Sequence, residues 1–207
     1  MSLALLLAAA AVAGYLVGAV SPATLLARRR GIDLASSGSG NPGATNAGRV
    51  LGRRTGLVVG LLDVAKGALP AAAFGLADSR AGLLAGFAAV VGHVTSPFLR
   101  GRGGKGVATS AGAVLGSHPV LVPAVLAVWL VIVLVSRWIA LASMCAAASL
   151  PLAAYLLGFR GATLLWALGL AAVVVVRHQP NVRAKLVRRG WWHPRGGGSA
   201  PAEAEEP

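Results

Sequence analysis

The stretch LALLLAAAAVAGYLVGAVSPATLLARRR, residues 3–30, decides the fold. Residues 3–27 carry no charged side chain, and roughly 20 apolar residues suffice to cross the hydrocarbon core of a bilayer. Three arginines follow at once. A secretory signal carries its positive charge ahead of the apolar run, whereas here it comes behind. Basic residues beside a span remain in the cytoplasm, so this segment reads as a retained first helix with its N-terminus outside.

The rest of the chain repeats that pattern. Of 207 residues 56% are hydrophobic and only 12% charged, with a mean hydropathy of +0.73. Further apolar runs cover 57–77, 82–99, 119–136, 139–158 and 161–176; a shorter one, 107–117, crosses only if its flanks extend it. With 107–117 counted as a crossing, every lysine and arginine except Lys66, Arg80 and Arg160 falls on one side. Without it the basic C-terminal segment would face the opposite way. The expected fold is therefore all-α: a polytopic membrane bundle of seven transmembrane helices, N-terminus outside and C-terminus cytoplasmic. Residues 1–193 form the membrane domain, and 194–207, with nothing to bury, a disordered tail. Trp191 and Trp192, behind Arg188 and Arg189, read as an interfacial anchor.

A net charge of +13 does not point to nucleic acid here. The cations are spread along one membrane face, where they set topology and touch anionic lipid. Cys145, the single cysteine, forms no internal disulfide and reads as a small core residue. Small-residue pairs at helical spacing, Gly14/Gly18, Gly56/Gly60, Gly82/Gly86 and Gly112/Gly116, read as packing between helices of one chain.

The polar chemistry sits in the breaks between apolar runs. The richest is Ser36-Ser37-Gly38-Ser39-Gly40-Asn41-Pro42-Gly43-Ala44-Thr45-Asn46, with Arg49 beyond. Glycines expose backbone N–H groups that bind anions; Ser39, Asn41, Thr45 and Asn46 add neutral hydrogen bonds, and Arg49 a guanidinium suited to phosphate. The second break, Gly101-Arg102-Gly103-Gly104-Lys105-Gly106, is neither a dinucleotide fingerprint nor a P-loop, because the surrounding elements and the acidic partner are absent. It places Lys105 as a point charge on a glycine turn, with His93 nearby in sequence to shape it. The third is His178-Gln179-Pro180-Asn181, whose two outer side chains share a helical face unless Pro180 disturbs it. Histidine is the usual acid or base near neutral pH. Asp63 and Lys66, three apart in an apolar run, read as a self-neutralising pair that fixes packing, with a supporting role near the site as the alternative; Ser143 alone reads as bonding back to its own helix.

These residues resemble a family. Ser39-Gly40-Asn41-Pro42-Gly43-Ala44-Thr45-Asn46 with Arg49, then Gly103-Gly104-Lys105-Gly106-Val107-Ala108-Thr109, then His178 and Asn181, look like the three signature loops of PlsY, the bacterial acyl-phosphate-dependent glycerol-3-phosphate acyltransferases. The resemblance spans about 1–190 and implies a seven-helix bundle with its loops at the cytoplasmic face of the cell membrane. It implies transfer of a fatty acyl group from acyl phosphate to the 1-hydroxyl of glycerol 3-phosphate, giving lysophosphatidic acid for phospholipid synthesis. Carried over by motif, the loop bearing Ser39, Gly40, Asn41, Gly43, Thr45 and Asn46 holds the acyl phosphate. Arg49, the turn Gly103-Gly104-Lys105 and Ser143 hold glycerol 3-phosphate, and His178 and Asn181 act at the attacking hydroxyl. After Asn181 the family commonly has Gly-x-Glu, whereas here Gly190 is followed by Trp191-Trp192.

Other chemistries fit less well. The inner loops carry one carboxylate, Asp33, too little for a catalytic triad. No His-x4-Asp pattern of the kind used by acyl-CoA-type acyltransferases occurs, and no ligand cluster suggests a metal. No cofactor or obligate protein partner is implied. A transporter of phosphate-bearing anions remains the alternative; it would place polar groups near the bilayer midplane and on both faces, whereas here they crowd one.

Overall fold

The computed structural model describes residues 2–188, and every regular element among them is a helix. The charge-free run 3–27 is two helices rather than one: α1 (Leu3–Ala19) and α2 (Pro22–Arg28). Pro22 has no N–H with which to continue the ladder of α1. Ser21 before it is extended, and its hydroxyl caps α2 by accepting the Thr24 N–H at 3.3 Å. The break leaves the Ala19 and Val20 carbonyls outside any helical ladder. Buried side chains take them up: Ser96 Oγ donates to Ala19 O at 2.6 Å, and Lys66 Nζ to Val20 O at 2.8 Å.

The remaining helices are α3 (Ala44–Val50), α4 (Arg53–Gly75), α5 (Ser79–Thr95), α6 (Val107–Ser117), α7 (Val122–Ser136), α8 (Ile139–Leu156) and α9 (Ala162–Arg188). Six segments, among them α1 with α2 as one, are long and apolar enough to cross a membrane. Their outward faces carry exposed leucines such as Leu69, Leu134 and Leu165, about 70% accessible. Each would cost roughly 1.5–3 kcal/mol in water relative to burial; lipid removes that cost. The chain is an integral membrane helix bundle.

Helix α5 is the hub, packed against α1, α4, α6 and α9. Glycine permits the closest approaches. Gly14 and Gly18 of α1 lie on the backbones of Ala85 and Ala89 in α5, and Gly112 and Gly116 of α6 on Val64 and Ala68 in α4. A Cβ at any of the four would overlap a backbone carbonyl. The small-residue pairs thus join helices of one chain.

Helix α6 has 11 residues, about 16 Å of rise, half the thickness of a hydrocarbon core. Its flanks extend it. At one end Gly103 and Gly104 are held by Arg177 of α9; at the other, His118 meets Thr163 of the same helix, Nε2 to Oγ1 at 3.2 Å. The two ends of the stretch 104–118 thus meet α9 at residues 163 and 177.

Two cores matter for the site. Leu83, Val90, Val114, Leu121, Leu150, Trp166 and Leu170 join α5, α6, α8 and α9. A smaller one, Ala23, Ala27, Leu34, Ala47, Leu51 and Val59, fastens α2 and α3 to α4 as a platform. Helix α7 has no buried residue and leans mainly on α8, leaving space between itself and α6. The expected anchor at Trp191 and Trp192 and the tail 194–207 lie outside the described residues.

Candidate active site

The loop between α2 and α3 holds itself together. Asp33 starts it: its carboxylate accepts the Ala35 N–H at 3.0 Å, and its carbonyl accepts Ser37 Oγ at 2.7 Å. Asn46, fully buried, closes it, accepting the Ser39 N–H at 2.8 Å and donating to Ser37 O at 3.0 Å. Gly38 takes a left-handed φ of +61° that favours glycine, and a Cβ there would also strike the side-chain oxygen of Asn46. Gly40 is likewise left-handed and packs toward Ala35 O. Asn46 thus uses one bond from its oxygen and one from its nitrogen to shape the loop. Ser39, Asn41 and Thr45 project beyond it, and Arg49 stands exposed at the last turn of α3.

The second loop is held from outside. The Gly103 and Gly104 N–H groups donate to Val94 O (3.2 Å) and His93 O (3.0 Å) at the end of α5. Their carbonyls accept Arg177 Nη2 at 2.9 Å and Nε at 3.2 Å. A Cβ on Gly103 would overlap the His93 carbonyl, and one on Gly104 the His93 ring. The backbone groups of both glycines are therefore committed within the protein. Their part is to carry Lys105, half-buried at the head of α6. Burial, then the nearby charges of Arg49 and Arg177, push its pKa below the usual lysine range.

The third element lies on α9, which runs unbroken through Pro180, so His178 and Asn181 do share a face. His178 is buried, with Nδ1 2.8 Å from Val174 O. A carbonyl only accepts, so Nδ1 carries the hydrogen, and in the neutral ring Nε2 then presents a lone pair. Ser143 on α8 donates to Ile139 O (2.9 Å) and accepts the Trp129 indole N–H (3.3 Å). What it has left for a ligand is acceptor capacity.

These pieces meet in one cavity of about 1180 Å³. Ser39, Asn41, Gly43, Thr45, Asn46, Arg49, Lys105, Ser143, His178 and Asn181 all line it; Gly40, Gly103 and Gly104 do not. An apolar arm continues from the polar end, walled by Val114, Val125, Leu126, Ala147, Leu150 and Leu170. The cavity thus joins a cationic, amide-rich head to a greasy tail.

Sequence reasoning missed several contributors. Arg177, grouped there with the cations that set topology, instead clamps the second loop. Asp63, Lys66 and His93 were singled out in the sequence, but not their meeting: Asp63 and His93 line the cavity, and Lys66 joins them. Trp129, Arg137 and Lys185 add to the wall, with Lys185 Nζ 3.8 Å above the Trp138 ring. Arg177 adjoins His178 in sequence, the one signal that pointed to it. Cys145, expected in the core, is only partly buried.

Comparison with known proteins bears directly on this arrangement. A family model described as glycerol-3-phosphate acyltransferase matches residues 8–188. A glycerol-3-phosphate acyltransferase of Geobacter sulfurreducens is 42% identical over 172 residues, 82% of this chain and 88% of that one. One from Aquifex aeolicus is 37% identical over 179 residues, 84% and 93% of the two chains. The crystal structure of PlsY, an integral membrane glycerol 3-phosphate acyltransferase, in its glycerol 3-phosphate form superposes with a TM-score of 0.83 at 34% identity, covering 92% of this chain and 96% of that one. Its lysophosphatidic acid form gives 0.81, also at 34% identity, covering 90% and 94%.

Proposed function

The chain belongs to the glycerol-3-phosphate acyltransferase family, and on that premise we propose that it transfers a fatty acyl group from acyl phosphate to the 1-hydroxyl of glycerol 3-phosphate. The product is lysophosphatidic acid. The observation that carries this reading is the single cavity: three loops distant in sequence deliver Arg49, Lys105 and His178 to one space with an apolar arm.

The arrangement suits the chemistry. Both substrates bear phosphate, and one pair of unit charges ~5 Å apart costs about 3 kcal/mol at an effective dielectric near 20. Arg49 and Lys105 offset that repulsion, and Arg177 adds to the field from behind. Ser39, Asn41, Thr45 and the backbone around Gly43 take the acyl phosphate; Arg49, Lys105 and Ser143 take glycerol 3-phosphate, Ser143 accepting from a glycerol hydroxyl. The acyl chain follows the apolar arm. Asn46, Gly40, Gly103 and Gly104 shape the loops rather than touch ligand.

In the reaction the hydroxyl oxygen attacks the acyl carbonyl carbon, an ester C–O bond forms, and the bond from that carbon to the phosphate oxygen breaks. Phosphate leaves with the electron pair. The hydroxyl proton passes to His178 Nε2 or to an oxygen of the departing phosphate. Asn181, one helical turn from His178, orients the hydroxyl. A good leaving group makes a covalent enzyme intermediate unnecessary, and positioning supplies the acceleration.

The same reading places the cavity at the cytoplasmic face of the bacterial cell membrane, in a bundle crossing seven times, N-terminus outside and C-terminus inside. Support comes from the arginines crowding the cavity end of the helices and from α6, whose two flanks both meet α9. The test uses the purified chain in lipid nanodiscs with acyl phosphate and glycerol 3-phosphate. Phosphate release that requires both, with no turnover from acyl-CoA, is expected; thiol release from acyl-CoA would overturn the donor assignment.

A further inference from the structure

Lys66 lies inside the membrane span α4, yet its ammonium meets three acceptors at once. Asp63 Oδ1 is 2.9 Å away, His93 Nδ1 2.7 Å and Val20 O 2.8 Å. An ammonium has three hydrogens and no lone pair, so Val20 O and His93 Nδ1 each accept one, while Asp63 Oδ1 meets the charge as an ion-pair contact. All three side chains are buried. Such a charge is costly in hydrocarbon, and a packed apolar pair of similar volume often serves stability better than a buried ion pair. Packing alone therefore does not account for it.

Its partners say what it does. Val20 O is the root of the platform that carries the loop 36–46, where α1 breaks and α2 begins. His93 is the root of the second loop: its carbonyl takes the Gly104 N–H at 3.0 Å, and its ring fills the space a Gly104 side chain would need. We propose that Lys66 is a positioning residue, pinning the roots of the two phosphate-holding loops to one point and so setting the distance between the bound substrates. This rests on the acyltransferase reading above. Lys66 need not touch either substrate; it governs how closely the hydroxyl meets the acyl carbon, and a misplacement of ~1 Å costs about 100-fold in turnover.

The test removes the link without leaving a lone buried charge. The double variant Asp63→Asn/Lys66→Met is compared with His93→Leu, which deletes the Nδ1 acceptor, and His93→Asn, whose amide oxygen restores an acceptor at that place. All are assayed in nanodiscs with both substrates varied, and glycerol 3-phosphate binding alone is measured by calorimetry. We expect kcat of the double variant to fall about 100-fold while both KM values and the binding of glycerol 3-phosphate stay within about threefold. His93→Leu should fall likewise, and His93→Asn should recover most of the loss. A kcat near wild type in the double variant or in His93→Leu overturns the proposal, as does a loss carried wholly by KM. If the double variant does not fold, the two His93 variants decide alone. An inactive wild-type chain would instead remove the acyltransferase premise and the proposal with it; an active wild type with unaffected variants removes only the role of Lys66.

Discussion

The two anion-facing loops are built on opposite plans. The loop 36–46 is self-sufficient: the bonds Asp33–Ser37, Ser39–Asn46 and Ser37–Asn46 each span nine residues or fewer, and much of it is exposed. The loop 100–106 supplies almost nothing to its own support. Val94, His93 and Arg177 hold it, the last from 73 residues away, and its two central glycines are buried. The first loop spreads its ligand contacts over several neutral groups. The second delivers one charge, Lys105, on a rigid mount. Redundancy on one side and a single committed cation on the other should answer mutation differently.

The largest difference should appear at the charge itself. Lys105→Met should lower kcat/KM for glycerol 3-phosphate about 1000-fold, the loss expected for a charged donor in a water-poor site. Ser39→Ala, one neutral donor among several, should cost about threefold on the acyl phosphate side, near the low end for a single hydrogen bond. Steady-state kinetics with each substrate varied reads both. Comparable losses would mean the loops share the load and the contrast is wrong.

The mounts come next. Arg177→Met removes two charge-assisted bonds at 2.9 and 3.2 Å and leaves the Gly103 and Gly104 carbonyls unpaired. At about 3 kcal/mol together, KM for glycerol 3-phosphate should rise about 100-fold. Asn46→Ala removes two neutral bonds from the other loop, so KM for acyl phosphate should rise about tenfold, with glycerol 3-phosphate unaffected. A crossed result, Arg177 acting on acyl phosphate, would reassign the loops.

The same contrast explains what was legible before the coordinates. Hydrophobic run length and the one-sided arginines led to a helical membrane bundle, because lipid demands them locally in sequence. The loop 36–46 stood out because the residues that shape it are neighbours. Arg177 did not: a cation at the end of an apolar run reads as a topology signal whether or not it bonds to a loop. The floor formed by Asp63, Lys66 and His93 was half visible. Asp63 and Lys66 sit one turn apart, but His93 and Val20 join them only through folding. The break at Val20 was hidden for another reason: Ser21-Pro22 interrupts the backbone ladder, not the hydropathy.

The smallest expected effect is in pH dependence, and it tests whether Arg49 and Lys105 face one anion. Lys105 loses its proton more readily than an ordinary lysine, chiefly through burial and then through repulsion from Arg49 and Arg177. A bound phosphate dianion favours the ammonium, so binding of glycerol 3-phosphate should take up protons at alkaline pH. Affinity should accordingly decline as pH rises through the lowered pKa of free Lys105. Arg49→Gln weakens binding at neutral pH but deletes one repulsion. The Lys105 pKa then rises, and the alkaline decline moves to higher pH. Because burial, the larger cause, is untouched, the move is partial. Calorimetry in buffers of differing ionisation enthalpy counts the protons directly. A decline that stays in place in Arg49→Gln would mean that the two cations, though they line one cavity, do not meet at one phosphate.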